Sequence, residues 1–246
     1  MRVVQLLLLA ATCWAKGQWR YVSVLVDDEL AHDLPAMANP VFQRCSYKGE
    51  HNQDERVLEF LGELRGGFFV EVGAHNGFFC SNTYRLEQDW GWQGICVEPA
   101  PQYLWWLSHR ACQVVSALVD SREGSALFQP RPEQDGLAGI VREGLVNTEA
   151  NGEEFEMPST TLSRILNEMQ APDVIDYLSI DVEGAEGEVL EGLDWDRWTV
   201  RLISAERTSE KARLILVSHG FEHIGSTGSD DFWASAELAA ELTNAK

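Results

Sequence analysis

The chain has 246 residues, 45% of them hydrophobic and 10% aromatic, and its 39 acidic side chains against 19 basic ones set the formal net charge at −20. That apolar content excludes a disordered polyampholyte and suffices for one or two domains with a buried core. So acidic a chain offers no broad positive face to a phosphate backbone; no nucleic-acid partner is expected, and anionic membrane surfaces are disfavoured.

Residues 3–15 form an apolar run behind Arg2, with small residues at Cys13 and Ala15 before Lys16 and Gly17. As a helix it spans about 20 Å, short of the roughly 30 Å hydrocarbon core, so no stable membrane span is expected. It reads as a signal peptide over residues 1–15, which places the protein in the lumen of the secretory pathway or outside the cell. A structural N-terminal helix or strand is the other reading and leaves the protein in the cytoplasm. Residues 16–50, with Asp27-Asp28-Glu29, Pro35 and Pro40, lack periodicity and read as an irregular arm. Residues 51–246 make up the single remaining domain.

Val57, Leu58, Phe60, Leu61 and Leu64 recur at helical spacing until Gly66-Gly67. Short apolar runs follow at residues 68–72, 94–97, 114–118, 174–180, 200–205, 221–224 and 232–234. Helical stretches at 79–88, 102–108, 160–169, 185–190 and 209–219 alternate with them. The alternation predicts an α/β, doubly wound, mostly parallel sheet. Residues 128–158, rich in Gly, Glu and Pro, read as a loop-like flap beside the site. Beyond the leader, Cys45, Cys80, Cys96 and Cys112 lack zinc spacing; disulfides and reduced core thiols both remain open.

Three strand ends carry the chemistry. Phe68-Phe69-Val70-Glu71-Val72 runs into Gly73-Ala74-His75-Asn76-Gly77, a glycine-punctuated turn at the end of a first strand, where a doubly wound sheet binds its ligand. The spacing is not the GxGxxG of a dinucleotide site. A second strand ends in Glu98-Pro99, 25 residues after Gly73, near the offset of about 20 expected for a ribose-binding acid. Without a phosphate cradle the ligand lacks a pyrophosphate, and S-adenosyl-L-methionine meets that requirement. The third feature is Ile180-Asp181-Val182-Glu183-Gly184-Ala185-Glu186, where Asp181 points at the crevice and Glu186 is an acid at a helix N-terminus. With Glu206, Asp181 and Glu183 form an acidic rim; linear spacing fixes no geometry there, and no metal ligand is assigned.

These motifs resemble the FkbM-type family of S-adenosylmethionine-dependent methyltransferases over residues 53–235, and more narrowly its eukaryotic, Star-like branch, through Ser81-Asn82-Thr83 and Trp92-Gln93-Gly94. The resemblance implies a Rossmann-like, seven-stranded methyltransferase sheet with the cofactor across the ends of its first two strands. Glu71, Gly73, Ala74, His75, Asn76 and Gly77 would surround the methionine part, Glu98 beside Pro99 would take the ribose, and Ala117 and Leu118 would border the adenine. Asp181 and Glu183 are the catalytic candidates, for O-methylation of a hydroxyl on a small-molecule, glycan or lipid acceptor. The Star-like branch implies an alternative, a non-catalytic trafficking protein that binds cargo on the same fold. Oligomeric state is not readable from sequence.

Overall fold

The structure is a computed structural model and describes residues 2–8, 20–26, 48–129, 139–141 and 154–244. Most of the expected arm, including residues 27–47, lies outside the described residues.

In chain order the elements are β1 (Arg2–Leu8), β2 (Arg20–Val26), α1 (Gln53–Phe60), β3 (Phe68–Val72), α2 (Tyr84–Trp90) and β4 (Gln93–Val97). A 3-10 turn at Pro101–Tyr103 leads into α3 (Leu104–Leu107), β5 (Gln113–Ser116), β6 (Leu118–Val119), β7 (Gly124–Gln129) and β8 (Gly139–Val141). Then come β9 (Phe155–Thr160), α4 (Leu162–Glu168), β10 (Val174–Ile180), α5 (Glu186–Glu191), β11 (Thr199–Glu206), α6 (Glu210–Ser218), β12 (Glu222–Thr227), β13 (Asp230–Ala234) and α7 (Ala236–Asn244).

The main sheet has the order β12-β13-β11-β10-β3-β4-β5-β1-β2. Strands β5, β4, β3, β10 and β11 are parallel, whereas β13 pairs antiparallel with β11 and β12 antiparallel with β13. The sheet is therefore mixed: seven strands from β3 onward make the expected core, and β1 and β2 extend its β5 edge. Chain order reverses between β3 and β10, and that switch point opens a crevice beyond the strand ends.

Alternation along the strands builds the two faces. Val70, Ile95, Val97, Leu178 and Ile180 pack with Leu162, Ile165 and Leu166 of α4, Val189 and Leu190 of α5 and Leu216 of α6. Their neighbours Phe69, Cys96 and Tyr177 face the other way, onto Val57 and Leu58 of α1, Leu86 of α2 and Leu238 of α7.

Arg2–Leu8, within the run read either as a leader or as a structural N-terminal element, forms a strand pairing parallel to β5 in the register Leu6↔Val114; a short run of Val and Leu serves either use. Three expectations differ from the structure. The stretch 128–158 is not simply a loop. Strands β7, β8 and β9 join β6 in a second sheet, packed around Phe128, Ile140 and Ala185. The helix read at 79–88 begins only at Tyr84, because Cys80 has a φ of 58° and the next three residues are tied to Glu71. Finally α7, beyond the last expected element, covers the β11 and β13 face. No helix among the described residues is long and apolar enough to cross a membrane.

Candidate functional site

A cavity of about 440 Å³ lies at the switch point, beyond the ends of β3, β4, β10 and β11. Glu71, Gly73, Ala74 and His75 line it from the first strand and turn, with Glu98 and Pro99 after β4, Ala117 and Leu118 after β5, and Asp181 and Glu183 after β10. Asn76 and Gly77 do not reach it. The stretch read as a flap does contribute here, since Phe128 and Ile140 of the small sheet line the cavity, but its strands were not expected. No periodic signal marks those residues within a Gly- and Pro-rich stretch.

Gly73 has a φ of 86°, and a Cβ there would stand 1.7 Å from the Asp181 carbonyl oxygen. Glycine is what lets the β3 turn run against the β10 backbone. The N–H groups of Gly73 and Ala74 both donate to Val97 O, at 2.9 and 3.1 Å, pinning the turn to β4. Behind the wall, Asn76 Oδ1 accepts from the N–H groups of Phe78 and Phe79 at 2.9 and 3.0 Å, and a Cβ on Gly77 would meet Leu107 Cδ2 at 2.5 Å.

Glu98 is 6% exposed. Its Oε2 accepts from the His75 N–H and its Oε1 from the Ala100 N–H, both at 2.8 Å. Each oxygen keeps a lone pair for a further donor. Burial pushes this carboxyl above its usual range, and the two N–H groups pull it back. The His75 ring lies 4.0 Å from that of Tyr103, which also lines the cavity.

Glu71 is held from behind. Ser81 Oγ, the Asn82 N–H and Thr83 Oγ1 donate to its carboxylate at 3.1, 2.8 and 2.7 Å, and the Arg110 guanidinium stands 3.7 Å away. Arg110 carries no motif in the sequence, so its place beneath the site could not be read from spacing.

The opposite end is acidic. Asp181, Glu183 and Glu206 each offer a carboxylate oxygen within 4.8 Å of the others, a set that suits a hard divalent cation. Burial, then the charges of Glu206, Glu183 and Asp230, then a hydrogen bond with Glu206, hold the Asp181 carboxyl well above its usual range. Asp230, beside the same charges, is pushed up to about 6, chiefly by burial. Arg207, largely exposed, bridges Glu206 at 3.2 Å and Glu183 at 3.5 Å. Backbone strain gathers here too, since His75, Cys80, Glu183 and Arg207 all line the cavity with φ between 45° and 58°.

The cysteines divide. Cys80 is disulfide-bonded, whereas Cys96 and Cys112 are free, buried and 3.2 Å apart at sulfur.

Among solved structures, the precorrin-6y C5,15-methyltransferase of Geobacter metallireducens GS-15 is similar at 12% identity and a TM-score of 0.39, over 73% of this chain and 84% of that one. No curated protein matches. Residues 71–223, more than half of the chain, match the family model described as the methyltransferase FkbM domain. That span starts at Glu71, passes through Glu98 and Asp181 and ends in β12, so it takes in most of the crevice, and the chain belongs to the FkbM methyltransferase domain family.

Proposed function

We propose that the protein transfers a methyl group from S-adenosyl-L-methionine to a hydroxyl oxygen of a small-molecule, glycan or lipid acceptor. The observation that carries this reading is one cavity lined by a buried acid, Glu98, after β4 and a second acid, Asp181, after β10. The residues fit the cofactor. Glu98 keeps lone pairs for ribose hydroxyls, the Gly73-Ala74 backbone faces the cavity without bulk, and the acidic rim suits a cationic sulfonium. When bound, the cofactor supplies an electrophilic methyl group on that sulfonium.

The chain's own residues then have little covalent work and act mainly by alignment and exclusion of water. Phe128 and Ile140 shield the cavity from the small-sheet side. Asp181 accepts the hydroxyl proton as the oxygen–carbon bond forms, and its raised affinity for a proton makes it an effective base once ionised. Incubation with labelled cofactor and fractionated glycan, lipid and small-molecule extracts tests the reading. A labelled product from wild type, lost in Asp181→Ala while cofactor binding persists, supports it. Equal labelling by both proteins rejects Asp181 as base, and binding without turnover in any fraction favours the cargo-binding alternative.

We further place the protein in the secretory pathway. The disulfide at Cys80 supports this, since disulfides persist in oxidising compartments, and on this reading the N-terminal apolar run, β1 of the main sheet, is removed as a leader. N-terminal sequencing after expression in a secretory host decides: a chain beginning near residue 16 agrees, and one retaining Arg2 contradicts it.

A further inference from the structure

The turn that lines the methionine end of the cavity continues through residues 77–83 without helix or strand, so something must hold it. Arg110 lies on the connection into β5, and its side chain is 0% exposed. Its Nη1 donates to Gly77 O at 2.5 Å and to Ser81 Oγ at 3.3 Å, its Nη2 donates to Thr83 Oγ1 at 3.0 Å, and its Nε to Glu87 Oε1 at 3.2 Å. The rings of Phe69 and Tyr84 flank the guanidinium at 5.7 and 5.3 Å. Glu87 holds the base of the arginine in turn, accepting from the N–H groups of Ala111 and Cys112 at 3.1 and 2.9 Å. A buried cation is tolerated only with partners, and the planar fork of arginine reaches several at once. Here it joins both ends of one loop to the start of another strand.

We propose that Arg110 is the positioning residue of the cofactor site: it fixes the Gly77–Thr83 loop, and through Ser81, Thr83 and the nearby Glu71 it sets the cavity wall against which the methionine end of the cofactor binds. The inference rests on the cofactor assignment above. Arg110 itself does not line the cavity, so its effect on binding is indirect. Gly77, with a φ of 76°, sits between Leu107 and Arg110: a Cβ there would stand 2.5 Å from Leu107 Cδ2 and 3.4 Å from Arg110 Cγ, the second an ordinary contact.

The test measures the dissociation constant of S-adenosylhomocysteine by calorimetry at 20 °C, with melting curves of the free proteins, for wild type, Arg110→Lys and Thr83→Val. Lysine keeps the charge and loses the fork; valine keeps the shape of a buried residue outside the cavity and removes its bonds to both Glu71 and Arg110. Both folded variants are expected to bind at least tenfold more weakly. An unchanged dissociation constant in either folded variant, with only a lower melting temperature, makes the network structural and overturns the proposal. If Arg110→Lys does not fold, Thr83→Val decides. No binding by wild type overturns instead the cofactor assignment.

Discussion

Asp181 and Glu186 stand in a single motif, and burial is the first cause that raises both, with neighbouring carboxylates adding to it at Asp181. Asp181 is raised by burial and by the carboxylates around it, so it gains its basic form only as pH rises through that elevated value. Turnover is expected to climb with pH and level off, and Asp181→Asn to lose at least a hundredfold in kcat together with that limb, as a pH–rate profile would show. Glu186 does serve the N-terminus of α5, as the sequence suggests: its Oε1 accepts from the Gly184 N–H at 2.9 Å. Its Oε2 is buried without a hydrogen-bond partner, and burial lifts the carboxyl to about 7. The folded chain then keeps a proton that the unfolded chain releases above about 4.5, so stability falls between about pH 4.5 and 7 and is flat above. Glu186→Gln removes that fall. The gap between the two proteins should change by about 3 kcal/mol across this window in urea melts at each pH, and parallel curves would refute the burial argument.

At the level of elements, the strands that carry chemistry were the most legible part of the chain. β3 and β10 have the bounds read from their apolar runs, because both are buried on two faces and need no alternation to be seen. Less legible were segments whose form depends on distant partners. Ser81–Thr83 looks helical in isolation but is drawn into a turn by Glu71, ten or more residues earlier. Strands β8 and β9 take their form from distant partners, β8 from β7 and β9 from β7 and β6. The contact between the β3 turn and β10 has a direct test in Gly73→Ala. A methyl group 1.7 Å from the Asp181 carbonyl forces the two strand ends apart, and a loss of about 3 kcal/mol or more, together with cofactor binding, is expected in denaturant melts. Cys96 on β4 and Cys112 before β5 supply a second check. Both are buried, and burial pushes the Cys96 thiol well up, so neither should react with a thiol reagent until the chain unfolds. Modification of the native protein at wild-type stability would contradict this packing.

For the whole molecule, the net charge of −20 acquires a partial location, since Glu98, Asp181, Glu183, Glu206 and Asp230 all line one cavity. Composition could exclude polyanionic partners but could not show this convergence, which the reversal of strand order between β3 and β10 creates. Of the crevice, the sequence identified the turn, the acid after β4 and the acid after β10. It placed the 128–158 stretch beside the site without showing its strands, and it could not reveal Arg110 beneath the turn, which carries no motif. A cofactor that binds only the folded chain should stabilise it, by about 2.7 kcal/mol at a hundredfold excess over its dissociation constant. For a chain of this length that raises the melting temperature by roughly 5–10 °C. The most direct measurement is a calorimetric titration of wild type and Glu98→Ala with S-adenosyl-L-methionine. One molecule bound per wild-type chain, with affinity reduced at least tenfold in the folded variant, is the expected result, and a wild-type chain that binds none would contradict the assignment of the crevice.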